Sequence, residues 1–175
     1  ASERMRMAMR KGFSDQALED TLRNHQNYGI NTMLNMLFGH PMETLNDHHK
    51  NLDFLDKYQD LMDDGTIASL NLQTYIAFLP GTDFADKFEN YTVQDTNISI
   101  EKTKNKKIPL FWKSKMVDTL DFPEIYRRRK EVSDACTEKN WRTVNERVFM
   151  QKMETELLLY NRWKDESKPD QDKYG

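Results

Sequence analysis

An α/β fold built from strand-helix units is what this sequence predicts, and three observations predict it. Thr32 to Phe38 is a short, mostly apolar run, too brief for a helix, that reads as a buried strand. Residues 69–78 alternate: Leu70, Leu72, Thr74, Ile76 and Phe78 fall on one side, and Ser69, Asn71, Gln73, Tyr75 and Ala77 on the other. Between these segments, Thr44-Leu45-Asn46-Asp47 has the spacing of a capping box, and His48, Leu52, Leu55 and Met62 follow at helical spacing. Strand, helix and strand joined at this length fit a parallel crossover, which is right-handed in nearly all proteins.

The other elements follow from capping and punctuation. Ser2 can cap a short Met- and Arg-rich helix running to Lys11, with Gly12 just beyond it. Ser14 caps a second helix whose Ala17, Leu18, Leu22 and His25 share a face, and Gly29 stops it. The helix that begins at Thr44 should end before Gly65, and Leu79-Pro80-Gly81-Thr82 closes the second strand. From about residue 91 to 120 the pattern weakens into a lysine-rich surface excursion around Pro109. Asp121-Phe122-Pro123-Glu124 then starts another helix. Asn140 is the expected cap of a long last helix through about Trp163, with Trp141, Val144, Val148, Leu157 and Tyr160 inward. Three regions result: 1–90, 91–120 and 121–175, the last mainly helical with a frayed polar end.

Composition narrows the function. The chain has 175 residues, 37% hydrophobic and 31% charged, with 26 Lys+Arg against 29 Asp+Glu and a net charge of −3. The core is therefore thin for the length, and nucleic-acid binding would need a local basic patch rather than whole-surface attraction. Nothing resembles a membrane span or a signal peptide, which points to a cytoplasmic protein that does not enter membranes. Cys136 is the single cysteine, so no disulfide framework and no multi-thiolate metal site can form within the chain.

Four blocks then carry a resemblance: Ala1-Ser2-Glu3-Arg4 through Met9-Arg10-Lys11-Gly12-Phe13-Ser14; Tyr28-Gly29-Ile30; Phe38-Gly39-His40-Pro41-Met42-Glu43-Thr44; and Phe78-Leu79-Pro80-Gly81-Thr82. In this order and spacing they resemble the second half of a radical SAM domain, in the branch that includes coproporphyrinogen oxidases, methylthiotransferases and cobalamin-dependent enzymes. The resemblance covers about half the chain. It implies the last strand-helix units of a partial (β/α) barrel, with residues 1–90 as the C-terminal half of that barrel and the rest a family-specific extension. In such enzymes a Cys-x3-Cys-x2-Cys loop holds a [4Fe–4S] cluster that binds S-adenosylmethionine and cleaves it reductively to a 5′-deoxyadenosyl radical. By this resemblance the chain starts just after the fourth strand, the cluster cysteines and the N-terminal half of the barrel lie upstream, and the fragment is inactive alone. Many relatives also carry a cobalamin-binding domain, which makes cobalamin a further cofactor that the resemblance admits.

The same resemblance assigns four cofactor-binding positions. Ser2 belongs to the segment beside the methionyl and ribose groups, although its spacing alone equally suits a helix cap. Lys11 falls where relatives place a basic partner of the SAM carboxylate; Arg10 takes that place if the alignment slips by one, and a solvated helix-end cation is the plain alternative. Asn35 interrupts an apolar strand with an amide that could bond ribose hydroxyls, a neighbouring strand or water. Ala77 lies in the stretch whose backbone reads adenine in relatives. Asn71, Gln73 and Tyr75 are candidates for a polar barrel lumen.

Two other readings compete. His40, His48, His49 and Glu43 suggest a metal site, but adjacent histidines diverge on a helix, so no metal ligands and no catalytic residues are assigned. The lysines from Lys102 to Lys107, with Phe111, Trp112 and Lys113, could bind phosphates and stack bases, and Arg127-Arg128-Arg129-Lys130 adds a second basic cluster. RNA is therefore the partner of an alternative function, a noncatalytic interaction module. Flanking Glu124, Glu131, Asp134 and Glu138 weigh against it.

Overall fold

A computed structural model describes residues 2–74, 90–94, 99–103, 106–109 and 111–166. Helix α1 (Glu3–Ala8) begins at Ser2, whose hydroxyl accepts the Met5 N–H. It ends before Lys11, sooner than expected, because Arg10 (φ 56°) turns the backbone left-handed. Helix α2 (Asp15–Asn27) starts on Ser14 and stops short of Gly29, as its sequence signals indicate. Strand β1 (Thr32–Phe38) matches the apolar run residue for residue.

Helix α3 (Leu45–Lys57) opens on a reciprocal capping box: the Thr44 hydroxyl accepts the Asp47 N–H, and the Asp47 carboxylate accepts the Thr44 N–H. It does not run on to Gly65. The chain breaks at Tyr58, whose ring is buried and whose hydroxyl donates to Glu19 at 2.8 Å, and resumes as α4 (Gln59–Asp63). Strand β2 (Ile67–Thr74) then pairs with β1 in parallel, with Asn35 opposite Asn71 and Phe38 opposite Thr74. The rest of the second expected strand, Ala77 included, lies outside the described residues, as does the turn at Leu79-Pro80-Gly81-Thr82.

Alternation gives this pair two unlike faces. Met36, Phe38, Leu70 and Leu72 are buried against Leu22 of α2, Leu55 of α3, and Leu61 and Met62 of α4. On the other face Met33 is 57% exposed and Asn35 is exposed, with Asn71 and Gln73 half-buried.

The lysine-rich excursion, expected to be irregular, contains two short antiparallel pairs: β3 (Thr92–Gln94) with β6 (Trp112–Ser114), and β4 (Ser99–Thr103) with β5 (Lys106–Pro109). Helix α5 (Phe122–Glu138) starts on Asp121, whose carboxylate accepts the Glu124 N–H, with Pro123 in its first turn. Its Val132 and Cys136 enter the same core as β1 and β2. A second core gathers Phe111, Trp112, Leu120, Phe122 and Ile125 around Met153 and Tyr160.

The last helix, α6, spans Glu146–Glu166 and is not capped by Asn140. Asn140 (φ 58°) and Asn145 (φ 55°) instead bracket a stretch that lies along the outer edge of β2. There the Leu70 N–H donates to the Arg142 carbonyl at 2.8 Å, and the Val144 N–H donates to the Leu70 carbonyl at 3.1 Å. Trp141 is buried beside it and donates its Nε1–H to Gln59. The spacing of Trp141, Val144 and Val148 imitates a helix, but the open β2 edge supplies hydrogen bonds that a helix there would forgo. Among the described residues, no helix is long and apolar enough to cross a membrane.

Candidate functional site

Ligands of α/β sheets gather at the carboxyl ends of parallel strands, so the segment after β1 is the place to build a site. Gly39 sits there with φ +77°, and a Cβ on it would lie 2.9 Å from Cγ2 of Ile125 in α5. No other residue fits both the left-handed backbone and that contact. The Gly39 N–H donates to Glu43 Oε2 at 2.8 Å. Glu43 is almost fully buried; burial raises its carboxyl above the usual range, against the downward pull of the Gly39 N–H and Arg128.

Arg128 of α5 completes the arrangement. Its Nη1 donates to the carbonyls of Glu43 (2.9 Å) and Thr44 (3.1 Å), and its Nε donates to Glu124 Oε1 (2.7 Å). Arg4 of α1 donates to the Met42 carbonyl, and Ser114 of β6 donates to the Pro41 carbonyl. The segment between β1 and α3 is thus held by α1, β6 and α5 together. Burial, with Arg4 nearby, pushes the His40 imidazole down to about 4, and burial also lowers His48, whose Nε2 lies 3.0 Å from Glu131 Oε2. Burial thus disfavours the charged form of both rings, and at His48 Glu131 pulls in the opposite direction.

The expected cofactor-binding residues divide. Ser2 donates to Asp47 Oδ1 while capping α1, so its hydroxyl ties α1 to α3. Asp47 gathers Ser2, Arg4 and Thr44; burial opposes its charge, but these donors outweigh it and hold the carboxyl well below the usual range. Lys11 is exposed. Asn35 is exposed rather than buried and accepts from Asn71 Nδ2 at 2.9 Å, while Asn71 Oδ1 accepts from Gln73 Nε2 at 2.7 Å. These three amides form a ladder across the open face of the pair. Ala77 lies outside the described residues.

Sequence reasoning missed the buried arginines. Arg128 and Arg129 are 1% and 0% exposed, and Arg129 Nη2 donates to the Leu72 carbonyl (3.0 Å) and to Glu146 (2.7 Å). Arg127 pairs with Glu124 and Glu131, and Lys130 with Asp134. The cluster that resembled a nucleic-acid patch is a set of ion pairs, with Arg129 Nε and Glu146 Oε1 left without hydrogen-bond partners, and the signal was the carboxylates at helical spacing around it. Phe111 and Trp112, candidates for base stacking, are core residues; the Phe111 ring packs edge-on to Phe122 at 4.8 Å and to Tyr160 at 5.3 Å. Cys136 is 1% exposed, and burial pushes its thiol up to about 12, so it does not fit the role of a metal-binding thiolate. Among the described residues, no group of three His, Cys, Asp or Glu side chains is placed to hold a metal ion.

No family model, curated protein or solved structure matches the chain. Its function must be read from its own geometry.

Proposed function

We propose that this chain is the C-terminal part of a radical SAM enzyme, contributing the last strands of the barrel and a helical cover to a site completed by an upstream segment. The observation that carries this reading is the asymmetry of the parallel pair. The outer edge of β2 is sealed by residues 142–144 and by Arg129, whereas among the described residues β1 pairs only with β2. Parallel strands are normally buried on both faces, yet here one face is open and carries the amide ladder of Asn35, Asn71 and Gln73. Further strands added at β1 would turn that face into a lumen.

The fit to the implied cofactors is uneven. Asn35 and its ladder suit a ribose or another polyhydroxyl group, and Lys11 suits a carboxylate. Ser2 does not fit, because Asp47 and the Met5 N–H occupy its hydroxyl. Cys136 does not fit a cluster, so a [4Fe–4S] centre would be held by cysteines upstream. When bound there, cluster and SAM together supply the reducing cleavage that starts radical chemistry; the residues of this chain bind, orient and exclude water. Against the RNA-binding alternative, Arg128, Arg129, Phe111 and Trp112 are buried, and Arg127 and Lys130 are exposed but ion-paired.

The test is anaerobic iron–sulfur reconstitution of two samples. The 175-residue chain should take up no cluster. The complete reading frame should take up one and release 5′-deoxyadenosine from SAM under reduction. A complete reading frame without an upstream Cys-x3-Cys-x2-Cys loop would sink the proposal.

A further inference from the structure

A cleft of about 230 Å³ opens between α1, α2 and α3, with Ser2 and Tyr58 among its lining. Lys50, Asp53, Phe54 and Lys57 stand at i, i+3, i+4 and i+7 on one face of α3, and Asp15 and Leu18 of α2 face them. Arg6 of α1, with Leu18 and Phe54, also lines a second cavity of about 100 Å³. That second cavity is lined by Leu34, Asn35 and Met36 of β1, by Leu70 of β2 and by Phe13. Each is smaller than the roughly 300 Å³ at which drug-sized ligand sites begin, which limits an occupant to a small molecule.

The charges around the cleft are of two kinds. Arg6 is tied to Asp15, and Lys57 to Glu19, so these are neutralised from within. Lys50 and Asp53 form no ion pair among the described residues, and they stand one helical turn apart at the mouth. The site therefore presents one cation and one anion above an apolar interior lined by Leu18 and Phe54.

We propose that this cleft binds a free α-amino acid with an aliphatic or thioether side chain. Lys50 takes the carboxylate, Asp53 takes the ammonium, and the side chain enters between Leu18 and Phe54 toward Met36. A zwitterion satisfies both mouth charges at once, which neither a simple carboxylate nor a simple amine can do. A mainly apolar side chain suits walls of Leu18, Leu34, Met36, Phe54 and Leu70, with the Asn35 amide the polar group that β1 contributes there.

The experiment is calorimetric titration of the 175-residue chain with L-leucine and L-methionine, and with leucine methyl ester, N-acetyl-leucine and 4-methylpentanoate as analogues lacking one charge. Saturable binding at millimolar concentration is expected for the amino acids, weakened about tenfold or more for each analogue. Lys50→Gln should abolish the discrimination against the methyl ester, and Asp53→Asn that against N-acetyl-leucine; both residues are exposed, so neither change should unfold the chain. Leu18→Trp, checked by circular dichroism, should block binding by filling the cleft. Absence of saturable binding, equal binding of the analogues, or binding unchanged in Lys50→Gln and Asp53→Asn would each overturn the proposal. So would binding to this chain that vanishes in the complete reading frame, because the cleft would then be a packing surface. None of these readouts uses a cluster or SAM, so failure here is distinguishable from failure of the radical reading.

Discussion

Arg128 reaches four acceptors in a setting where only 1% of it meets solvent: Glu124, the Glu43 carboxylate, and the carbonyls of Glu43 and Thr44. Removing one partner of such a buried group leaves the others desolvated and unmatched. Arg128→Ala should lower unfolding free energy in urea by about 3 kcal/mol, and Arg128→Lys should recover little, because a single ammonium cannot span these acceptors. At Gly39, alanine should cost about 1–2 kcal/mol from the left-handed backbone alone, with the Ile125 contact added. Ile125→Ala in the same chain should return the contact part and not the backbone part, which a double-mutant cycle separates.

Titration belongs to this scale as well. The Lys57 ammonium holds Glu19 down to about 2, and Arg127 with Arg128 does the same for Glu124. Carboxyls depressed in the folded state stabilise it above their ordinary value of 4.5, and that contribution is lost as pH falls toward 2. His40 adds an earlier stage: held neutral to about 4 when folded, it takes a proton near 6.5 when unfolded, so stability declines between those values. Raised Glu43 and Glu146 act in the opposite direction, favouring the folded state once protonated. Urea midpoints measured from pH 7 to 2.5 should therefore fall in two stages, and His40→Gln should reduce the first, to which lowered His48 also contributes.

At the scale of elements, the edge of β2 is the informative case. Val144→Pro removes the N–H that the Leu70 carbonyl accepts, and about 1–2 kcal/mol of stability should go with it. Hydrogen exchange at the Leu70 amide, which bonds the neighbouring Arg142 carbonyl, should quicken in step. An unchanged exchange rate would mean that the edge is not held by this segment. Local signals read well here: Ser14, Thr44 with Asp47, and Asp121 mark helix starts that the structure keeps. Each rests on atoms three residues apart, whereas the extended run at Trp141 depends on a strand about 70 residues earlier, and the break at Tyr58 on a hydroxyl reaching Glu19. Periodicity alone carries no information about either partner.

For the whole molecule, the expected division at residue 120 is crossed by both cores. Val132, Cys136 and Trp141 pack with β1 and β2, while Phe111 and Trp112 pack with Met153 and Tyr160 of α6. The α/β class was legible because strand and helix periods differ. The burial of Arg128 and Arg129 was not, because a run of cations looks the same whether its carboxylates are nearby in space or absent. The edge of β1, unpaired among the described residues, has a consequence in solution: unpaired strand edges recruit other strands. The isolated chain should self-associate in sedimentation equilibrium, and Met33→Lys, at an exposed position of β1, should suppress this without loss of stability.

The seal on β2 also bears on the order of events during folding. Ala68 and Arg142 are 74 residues apart, and Glu43 and Arg128 are 85 apart, while β1, α3 and β2 are successive in the chain. Contacts that close long loops form after local ones. A nascent or partly folded chain therefore passes through a stage in which the strand pair exists before residues 142–144 cover the edge of β2. During that interval, residues 141–144 compete with strands of other molecules for Leu70, and their tethering to α5 makes the chain its own nearest partner.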